Sequence, residues 1–349
     1  MLDRILHFSI QRRWTVVVAT LAAALFGARA LWLLPIDAVP DITGPLVQIN
    51  TLDASLSPVD IERQVTFPIE TALAGIPGLE RTRSLSRNGF SQVTAIFRDG
   101  TDIYFARQQI GERLLAVRDR IPPGAEPRLG PITSGLGDVY MWTVAFAHPD
   151  ARGALAAPGA AGWQGDGSYR TPEGESLRTP IERAAYLRTV QDWIIRPQLQ
   201  SVPDVAGIDA IGGFVKQVVV EPDVRQLAAH GLGFVDLVTA LEANNLSTGA
   251  GVVEHNGAAY VVRAAARIES VDALADIAVA ERGGTPIRLT DVARLAVGGE
   301  PRTGSASQNG EEVVIGTAMM LLGANSRTVA RAVDARLAEV ERTLPPDVV

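Results

Sequence analysis

Residues 14–34 form a run of 21 residues whose only charged member is Arg29, and no other stretch restricts the chain so severely. A helix of that length rises about 31 Å at 1.5 Å per residue, enough to cross the ~30 Å hydrocarbon layer of a bilayer. Arg29 stands five residues from the far end. From there its guanidinium reaches the headgroups and escapes the roughly 2.5–3.5 kcal/mol assigned to an arginine at a helix centre. Arg4, Arg12 and Arg13 precede the run, and the next basic residue after Arg29 is Arg63. The positive-inside bias therefore leaves the N-terminus in the cytoplasm and carries everything after about residue 35 to the other side. Residues 1–13, with Leu2, Ile5, Leu6 and Ile10 at helical spacing, read as a helix lying on the cytoplasmic headgroups. A cleaved secretory signal is the competing reading, since Ala28-Arg29-Ala30 has the small-x-small form of a cleavage site. The apolar run continues past it through Leu31, Trp32, Leu33 and Leu34, which favours a retained anchor.

The rest of the chain has material for two or three domains. Hydrophobic residues make up 47% of the 349 and aromatics only 5%, so Ala, Val, Leu and Ile must fill the interior. A formal charge of −7 argues against a nucleic-acid partner, because no basic face is available to neutralise phosphates. With no cysteine there is neither a disulfide nor a thiolate metal site. Lys216 is the sole lysine and stands in no phosphate loop, which excludes a P-loop nucleotide hydrolase. No Ser-His-Asp, paired-carboxylate or Gly-rich cofactor pattern is present, so an enzyme is not expected.

After an extended strap at residues 34–41 held by Pro35 and Pro40, a β-α-β-β-α order is readable. Strands are expected at 46–52, 79–85 and 92–97. One helix starts at Ser57-Pro58 and is kinked by Pro68; a second starts near Asp102 and stops at Pro122-Pro123-Gly124. The unit recurs. Leu73 to Leu79 reads like Leu199 to Val205, and Ile110, Arg113, Leu114, Val117, Ile121, Pro122 and Pro123 match Val333, Arg336, Leu337, Val340, Leu344, Pro345 and Pro346 at a constant spacing of 223. Two copies of a split β-α-β, ferredoxin-like unit follow. The second copy has a strand at 138–146, a helix at 187–202, a strand at 205–211, and its closing strand and helix at 312–320 and 326–344. It is interrupted at 212–310 by a small α+β insertion with a strand at 214–220, one helix from about 224 to 244, and a hairpin turning at Asn256-Gly257. Residues 147–179, rich in Gly, Ala, Pro and Ser, read as a mobile surface loop.

The blocks Leu34-Pro-Ile-Asp-Ala-Val-Pro-Asp-Ile42, Gln64-Val-Thr-Phe-Pro-Ile-Glu-Thr-Ala-Leu73, Asp99-Gly-Thr-Asp-Ile-Tyr-Phe-Ala-Arg107 and Leu187-Arg-Thr-Val-Gln-Asp-Trp193 resemble the heavy-metal efflux, cobalt-zinc-cadmium branch of the resistance-nodulation-division transporters. The resemblance covers essentially the whole chain except 147–179. It implies an α+β membrane protein with one N-terminal transmembrane helix (14–34) and a first porter subdomain (35–131). The second porter subdomain (132–211 and 311–349) is split by a docking insertion (212–310). It further implies a homotrimer in a bacterial inner membrane, working with a periplasmic adaptor and an outer-membrane channel to expel divalent cations in exchange for protons, without a resident cofactor. Family members continue through further spans that carry the proton-coupling carboxylates. No Asp or Glu lies within residues 14–34, so the chain reads as an N-terminal portion that does not transport alone. The drug-exporting branch would want an aromatic-lined pocket, for which there is little material.

For cargo, hard or borderline cations want carboxylates and soft Cu(I) or Ag(I) want thioethers. Asp138, at the start of the second unit's first strand, is the candidate metal-contacting residue, on the resemblance that family members carry an acid facing the cleft there. His7, His148, His230 and His255 stand apart and read as surface or structural. Met319 and Met320 are adjacent on a strand, point to opposite faces and cannot chelate together. The scarcity of Met favours zinc, cobalt, cadmium or nickel.

Overall fold

In helix α1 (Arg13–Leu33) no residue of the apolar window Arg13–Leu31 is buried, and all but half-exposed Val16 are fully exposed. The computed structural model describes residues 10–33, 44–149, 151, 155–157, 159–244, 247–255, 258–265, 271–300 and 304–349. Residues 1–9 of the interfacial helix expected at 1–13, and the strap expected at 34–41, lie outside them. Within α1 the Thr20 hydroxyl donates to the Val16 carbonyl, so that polar group is satisfied inside the helix, as a membrane-spanning segment would need.

The chain then runs through β1 (Leu46–Leu52), helix α2 (residues 58–73), β2 (Leu79–Arg87), β3 (Phe90–Phe97), α3 (Ile103–Val117), β4 (Glu126–Leu129) and β5 (Asp138–Val144). Short strands β6 (Gly162–Trp163), β7 (Tyr169–Arg170) and β8 (Ser176–Leu177) precede α4 (residues 180–200) and β9 (Val205–Ile211). Next come β10 (Lys216–Pro222), α5 (Val224–His230), α6 (Phe234–Ala243), β11 (Ser247–His255), β12 (Ala258–Ala265), α7 (Val271–Ala275), β13 (Ala278–Arg282), β14 (Thr285–Arg288), α8 (Leu289–Val292) and β15 (Ala293–Gly299). The last elements are β16 (Ala306–Gln308), β17 (Glu311–Met320) and α9 (Ser326–Val340). Two units emerge: Met1–Trp142 with Ile194–Asp209 and Gly316–Thr343, and Thr143–Trp193 with Ala210–Ile315 and Leu344–Val349.

The first unit opens with an antiparallel sheet of order β2-β3-β1-β4. Alternation buries Val47, Ile49, Val93, Ala95 and Phe97 against Ile61, Val65, Ile69 and Leu73 of α2 and Ala106, Ile110 and Val117 of α3. Ser57 caps α2 by accepting from the Asp60 N–H, and Asp102 caps α3 by accepting from the Tyr104 N–H. The expected disturbance at Pro68 takes the form of a wider π turn over Glu62–Thr66, just ahead of the proline. Proline cannot donate, and the π turn absorbs the misfit. Helix α4 repeats the device, with a π turn at Gln191–Ile195 before Pro197.

Strands β9, β17 and β5 are neighbours in that order, as are β2, β3 and β1. The parallel extends to single hydrogen bonds. Arg98 N–H donates to the Gly78 carbonyl and Leu321 N–H to the Asp204 carbonyl; Phe97 N–H donates to Pro45 and Met320 N–H to Gly137. Ala125 N–H donates to Pro122 and Val348 N–H to Pro345. At two of these turns a left-handed residue is Gly in one copy and Asp in the other: Gly78 (φ 81°) with Asp204 (φ 63°), and Gly124 (φ 101°) with Asp347 (φ 65°). Asp is among the few residues with a Cβ that tolerate that region. Val349 and Ala145 exchange both backbone hydrogen bonds, so the chain enters beside β5 the position β4 holds beside β1.

Three expectations are corrected in the second unit. Residues 147–179 are not a featureless loop: β6, β7 and β8 form a small sheet, and Trp163 and Tyr169 are the largest fully buried side chains among the described residues. Phe146 packs at 5.3 Å from Trp163 and 4.7 Å from Tyr169, which lies 5.8 Å from Tyr186. Aromatic contact, which has no helical or strand period, holds the segment. Helix α4 begins at Pro180, before the expected 187, because Thr179 and Glu182 make a capping box: Glu182 N–H donates to Thr179 Oγ1 at 3.2 Å and Thr179 N–H to Glu182 Oε2 at 2.9 Å. The single helix expected at 224–244 is two, broken where Gly231 turns left-handed (φ 61°). Strands β10 and β15 pair, β13 and β14 pair, and Leu227, Leu237, Ile277, Ile287, Leu289 and Val292 are buried together. Strands β11 and β12 form the expected hairpin; its Asn256-Gly257 turn lies outside the described residues.

Replacing Trp163 by Ala is expected to lower stability by roughly 3–5 kcal/mol, the cost of emptying a buried aromatic site, measured by chemical denaturation followed by tryptophan-independent far-UV dichroism. A loss under about 1 kcal/mol would mean the segment contributes no core. Hydrogen bonds from the Thr179 and Arg178 backbones hold the Glu182 carboxyl below its ordinary range. Its contribution is therefore full above the unfolded carboxyl value and fades as pH falls through the lower folded one. Glu182→Gln should cost about 0.5–1 kcal/mol near pH 7, with the difference from the parent chain closing in acid. A difference that grows in acid would refute this.

Candidate functional site

Asp138 opens β5 directly after the turn Ser134-Gly135-Leu136-Gly137, in which Gly137 N–H donates to the Ser134 carbonyl and Leu136 N–H to the Ser134 hydroxyl. The Gly137 carbonyl then accepts from Met320 N–H, which fixes the backbone just before the carboxylate. The Asp138 side chain is exposed. Strand alternation puts it on the same face as Tyr140 and opposite Met141. Tyr140 donates its hydroxyl to Asp334 Oδ1 at 2.6 Å, and that bond, with some burial, pushes the phenol pKa up. Asp334 is thereby occupied. Among the described residues no group of three or more His, Asp or Glu side chains is placed to hold a metal ion. Asp138 therefore offers one exposed carboxylate outside any three-ligand cluster, and can be one contact in a larger coordination shell. Met319 and Met320 are both nearly buried and Met141 is exposed; no thioether accompanies Asp138 on its face of β5.

His148 is not an isolated surface residue. Its Nδ1 lies 2.6 Å from Asp347 Oδ1, its N–H donates to Asp347 Oδ2 at 3.1 Å, and Trp163 Nε1 donates to the same oxygen at 2.7 Å. Tyr169 donates to the Pro346 carbonyl at 2.6 Å, and burial, with Asp347 and Glu173 nearby, drives its phenol pKa far up. The left-handed Asp347 is thus the anchor onto which the 147–179 segment closes. The signal was present in sequence, since Pro345-Pro346-Asp347 aligns with Pro122-Pro123-Gly124, and a carboxylate where the first copy needs only a glycine calls for a partner.

The insertion carries an open concavity of about 1030 Å³ lined by Glu221, Asp223, His230, Asp291 and Arg294 among others. Its carboxylates are committed: Glu221 accepts from Arg294 Nε at 2.8 Å, Asp223 caps α5, and Asp291 accepts from Arg288 N–H. His230 therefore has no free acid beside it to complete a metal site there.

Asp347→Ala should cost about 1–3 kcal/mol, because it leaves a buried indole N–H unpaired and places alanine at positive φ, whereas Asp347→Asn, which retains an acceptor and tolerates that φ, should cost under about 1 kcal/mol. Equal losses in the two variants, measured by denaturant unfolding, would contradict the anchor role.

Comparison with known proteins adds three findings. Residues 5–349 match the AcrB/AcrD/AcrF family model. The chain is 52% identical over 349 residues to the nickel and cobalt resistance protein CnrA of Cupriavidus metallidurans, and 46% identical over 348 residues to the cobalt-zinc-cadmium resistance protein CzcA of the same organism. All of this chain is covered in each case, with 32% and 30% of the relatives, so it spans under a third of their length. A crystal structure of a heavy metal efflux pump superposes with a TM-score of 0.79 at 26% identity, over 99% of this chain and 31% of that one.

Proposed function

Because the chain belongs to the AcrB/AcrD/AcrF family, we propose that it is the N-terminal portion of an inner-membrane exporter that drives divalent metal cations outward in exchange for protons. The observation that carries this reading is the identity to proteins named for nickel and cobalt resistance, 52% along the whole 349 residues, against 32% to the cation efflux protein CusA of Escherichia coli K12. Nickel and cobalt are accordingly the favoured cargo, and the poverty in methionine fits borderline rather than soft ions. In this reading α1 is a retained anchor with its N-terminus in the cytoplasm, and residues after about 35 are periplasmic. Residues 35–131 form one porter subdomain, residues 132–211 with 311–349 a second, and residues 212–310 the docking insertion that meets an adaptor or an outer-membrane channel in a homotrimer. No covalent chemistry and no resident cofactor are needed; the metal is cargo and the proton gradient supplies the work. The coupling carboxylates belong to other segments, as the acid-free α1 requires.

The reading is tested by placing the full reading frame in a host stripped of its own exporters and scoring growth on nickel, cobalt, zinc and copper salts. Tolerance to nickel and cobalt should rise; a gain confined to amphiphilic drugs would replace the metal reading by the drug-exporting one. Asp138 is assigned one cargo contact during export. Asp138→Asn in the full-length protein should weaken apparent nickel affinity about tenfold, a loss near 1.4 kcal/mol, with trimer yield unaltered. Unchanged affinity removes Asp138 from the path.

A further inference from the structure

The chain enters the insertion through Gly212-Gly213, a pair that by composition reads as a flexible joint. In the fold it is the reverse. Both glycines are buried and lie at positive φ, 90° and 64°. A Cβ on Gly212 would stand 2.5 Å from the Val313 carbonyl oxygen, and one on Gly213 would stand 2.7 Å from the Ala184 carbonyl oxygen and 2.9 Å from Arg188 Cβ. The joint is thus pressed on one side against β17, after the chain has returned from the insertion, and on the other against the first part of α4 (Pro180–Val190). Arg188 closes this contact. Its Nη1 donates to the Gly212 carbonyl at 3.1 Å, and its Nε donates to Asp192 Oδ2 at 2.7 Å. The two side chains are only 19% and 17% exposed. All of these residues belong to the second unit. Beyond the joint the outgoing and returning chains are zipped together. Glu300 N–H donates to the Val215 carbonyl at 3.0 Å, and β10 pairs with β15 from Lys216 opposite Gly299 to Pro222 opposite Ala293.

We propose that Arg188 is a latch that locks the insertion to α4, so that the two move as one rigid body and the insertion acts as a lever instead of swinging at its glycine pair. Gly212 lies between β9 and β10, where its buried carbonyl has no place in a strand ladder, and a buried carbonyl needs a donor. Arg188 supplies one and takes its own counter-charge from Asp192, four residues on. Serving both acceptors takes a planar guanidinium with N–H groups on separate nitrogens; the single ammonium of a lysine has no such fork. Loss of the guanidinium strips a mostly buried carboxylate of this cation and a buried carbonyl of this donor, and both losses weigh more than they would in water. The block Leu187 to Trp193 thereby gains a local reason, since Arg188 and Asp192 are its two charged members. One step rests on the reading of residues 212–310 as a docking insertion: a partner seated there would push directly on α4.

The test is hydrogen exchange of the full-length protein in detergent, read by mass spectrometry on peptides spanning residues 210–220. In the parent these amides should exchange as slowly as those of β1. Arg188→Gln should speed them by about tenfold or more, and Arg188→Lys, which keeps the charge but loses the fork, severalfold. Peptides over β1 to β3 should keep the parent's rates, which establishes that each variant is folded. Arg128→Gln removes an exposed pair with Glu126 in the first unit; it serves as the control and should leave residues 210–220 unchanged. A second readout is cleavage after Lys216 by a lysine-specific protease, scored by the new terminus at Gln217. Cleavage needs local opening, so it should be slow in the parent and about tenfold faster in Arg188→Gln. Exchange at 210–220 in the parent as fast as in an unstructured peptide, or rates indifferent to Arg188, would overturn the latch. Acceleration spread evenly over the whole protein would make Arg188 a general stabiliser and overturn it equally. Failure here leaves the growth test of metal export standing, because neither readout involves metal, and failure of the growth test leaves a measured latch standing.

Discussion

The described body of this protein depends on a one-sided bargain between sheet and helices. An antiparallel sheet can bury one face and leave the other to water. In the first β-α-β-β-α unit, α2 and α3 cover the face built by Val47, Ile49, Val93, Ala95 and Phe97. At about 25 cal/mol per Å² of apolar surface, burying such side chains contributes of order 1.5–3 kcal/mol each, more than the roughly 0.5–1.5 kcal/mol of a typical neutral hydrogen bond. The other face, which no helix of this unit covers, mixes Arg81, Arg83 and Gln92 with exposed Leu52 and Leu85.

The same topology, written twice, shows which details the fold demands and which are decoration. Both copies keep the hydrogen bond from the residue after the third strand to the left-handed residue before the second, Arg98 to Gly78 and Leu321 to Asp204. Both place a π turn ahead of a helix proline. The second copy departs where it adds: a long connection after β5 and an insertion after β9. The connection is held by Asp347, where the first copy has Gly124, so a backbone requirement became a side-chain anchor for Trp163 and His148. A second tie is Lys216, the sole lysine, whose ammonium donates to both carboxylate oxygens of Glu175 at 2.8 and 2.7 Å. With both side chains about half exposed, that pair adds little stability but sets the register of the connection.

Much of this was legible in the residues. Strands at 46–52 and 205–211 fall where alternation and turn signals put them, α3 starts at Asp102, and the spacing of 223 between Pro122-Pro123 and Pro345-Pro346 reappears as matched backbone hydrogen bonds. The misses share a cause. Thr179-Pro180-x-Glu182 is a helix start that compositional bias concealed, and Gly231 breaks a pattern whose apolar period continues on both sides. The aromatic cluster of Phe146, Trp163, Tyr169 and Tyr186 joins residues up to 40 apart with no period at all. For the site, the residues named Asp138 but did not reveal that, among the described residues, no group of three or more His, Asp or Glu side chains is placed to hold a metal ion.

By itself the sequence determined the apolar run able to span a bilayer, the doubled β-α-β order and the family, because each is carried by local periodicity, capping chemistry or a fixed spacing along one chain. The tertiary structure alone decided which carboxylates are spent on caps and ion pairs and what closes on Asp347. Those outcomes depend on distances between residues remote in the chain, and hydrogen bonding and Coulomb interaction fall off too steeply with distance for sequence spacing to stand in for them.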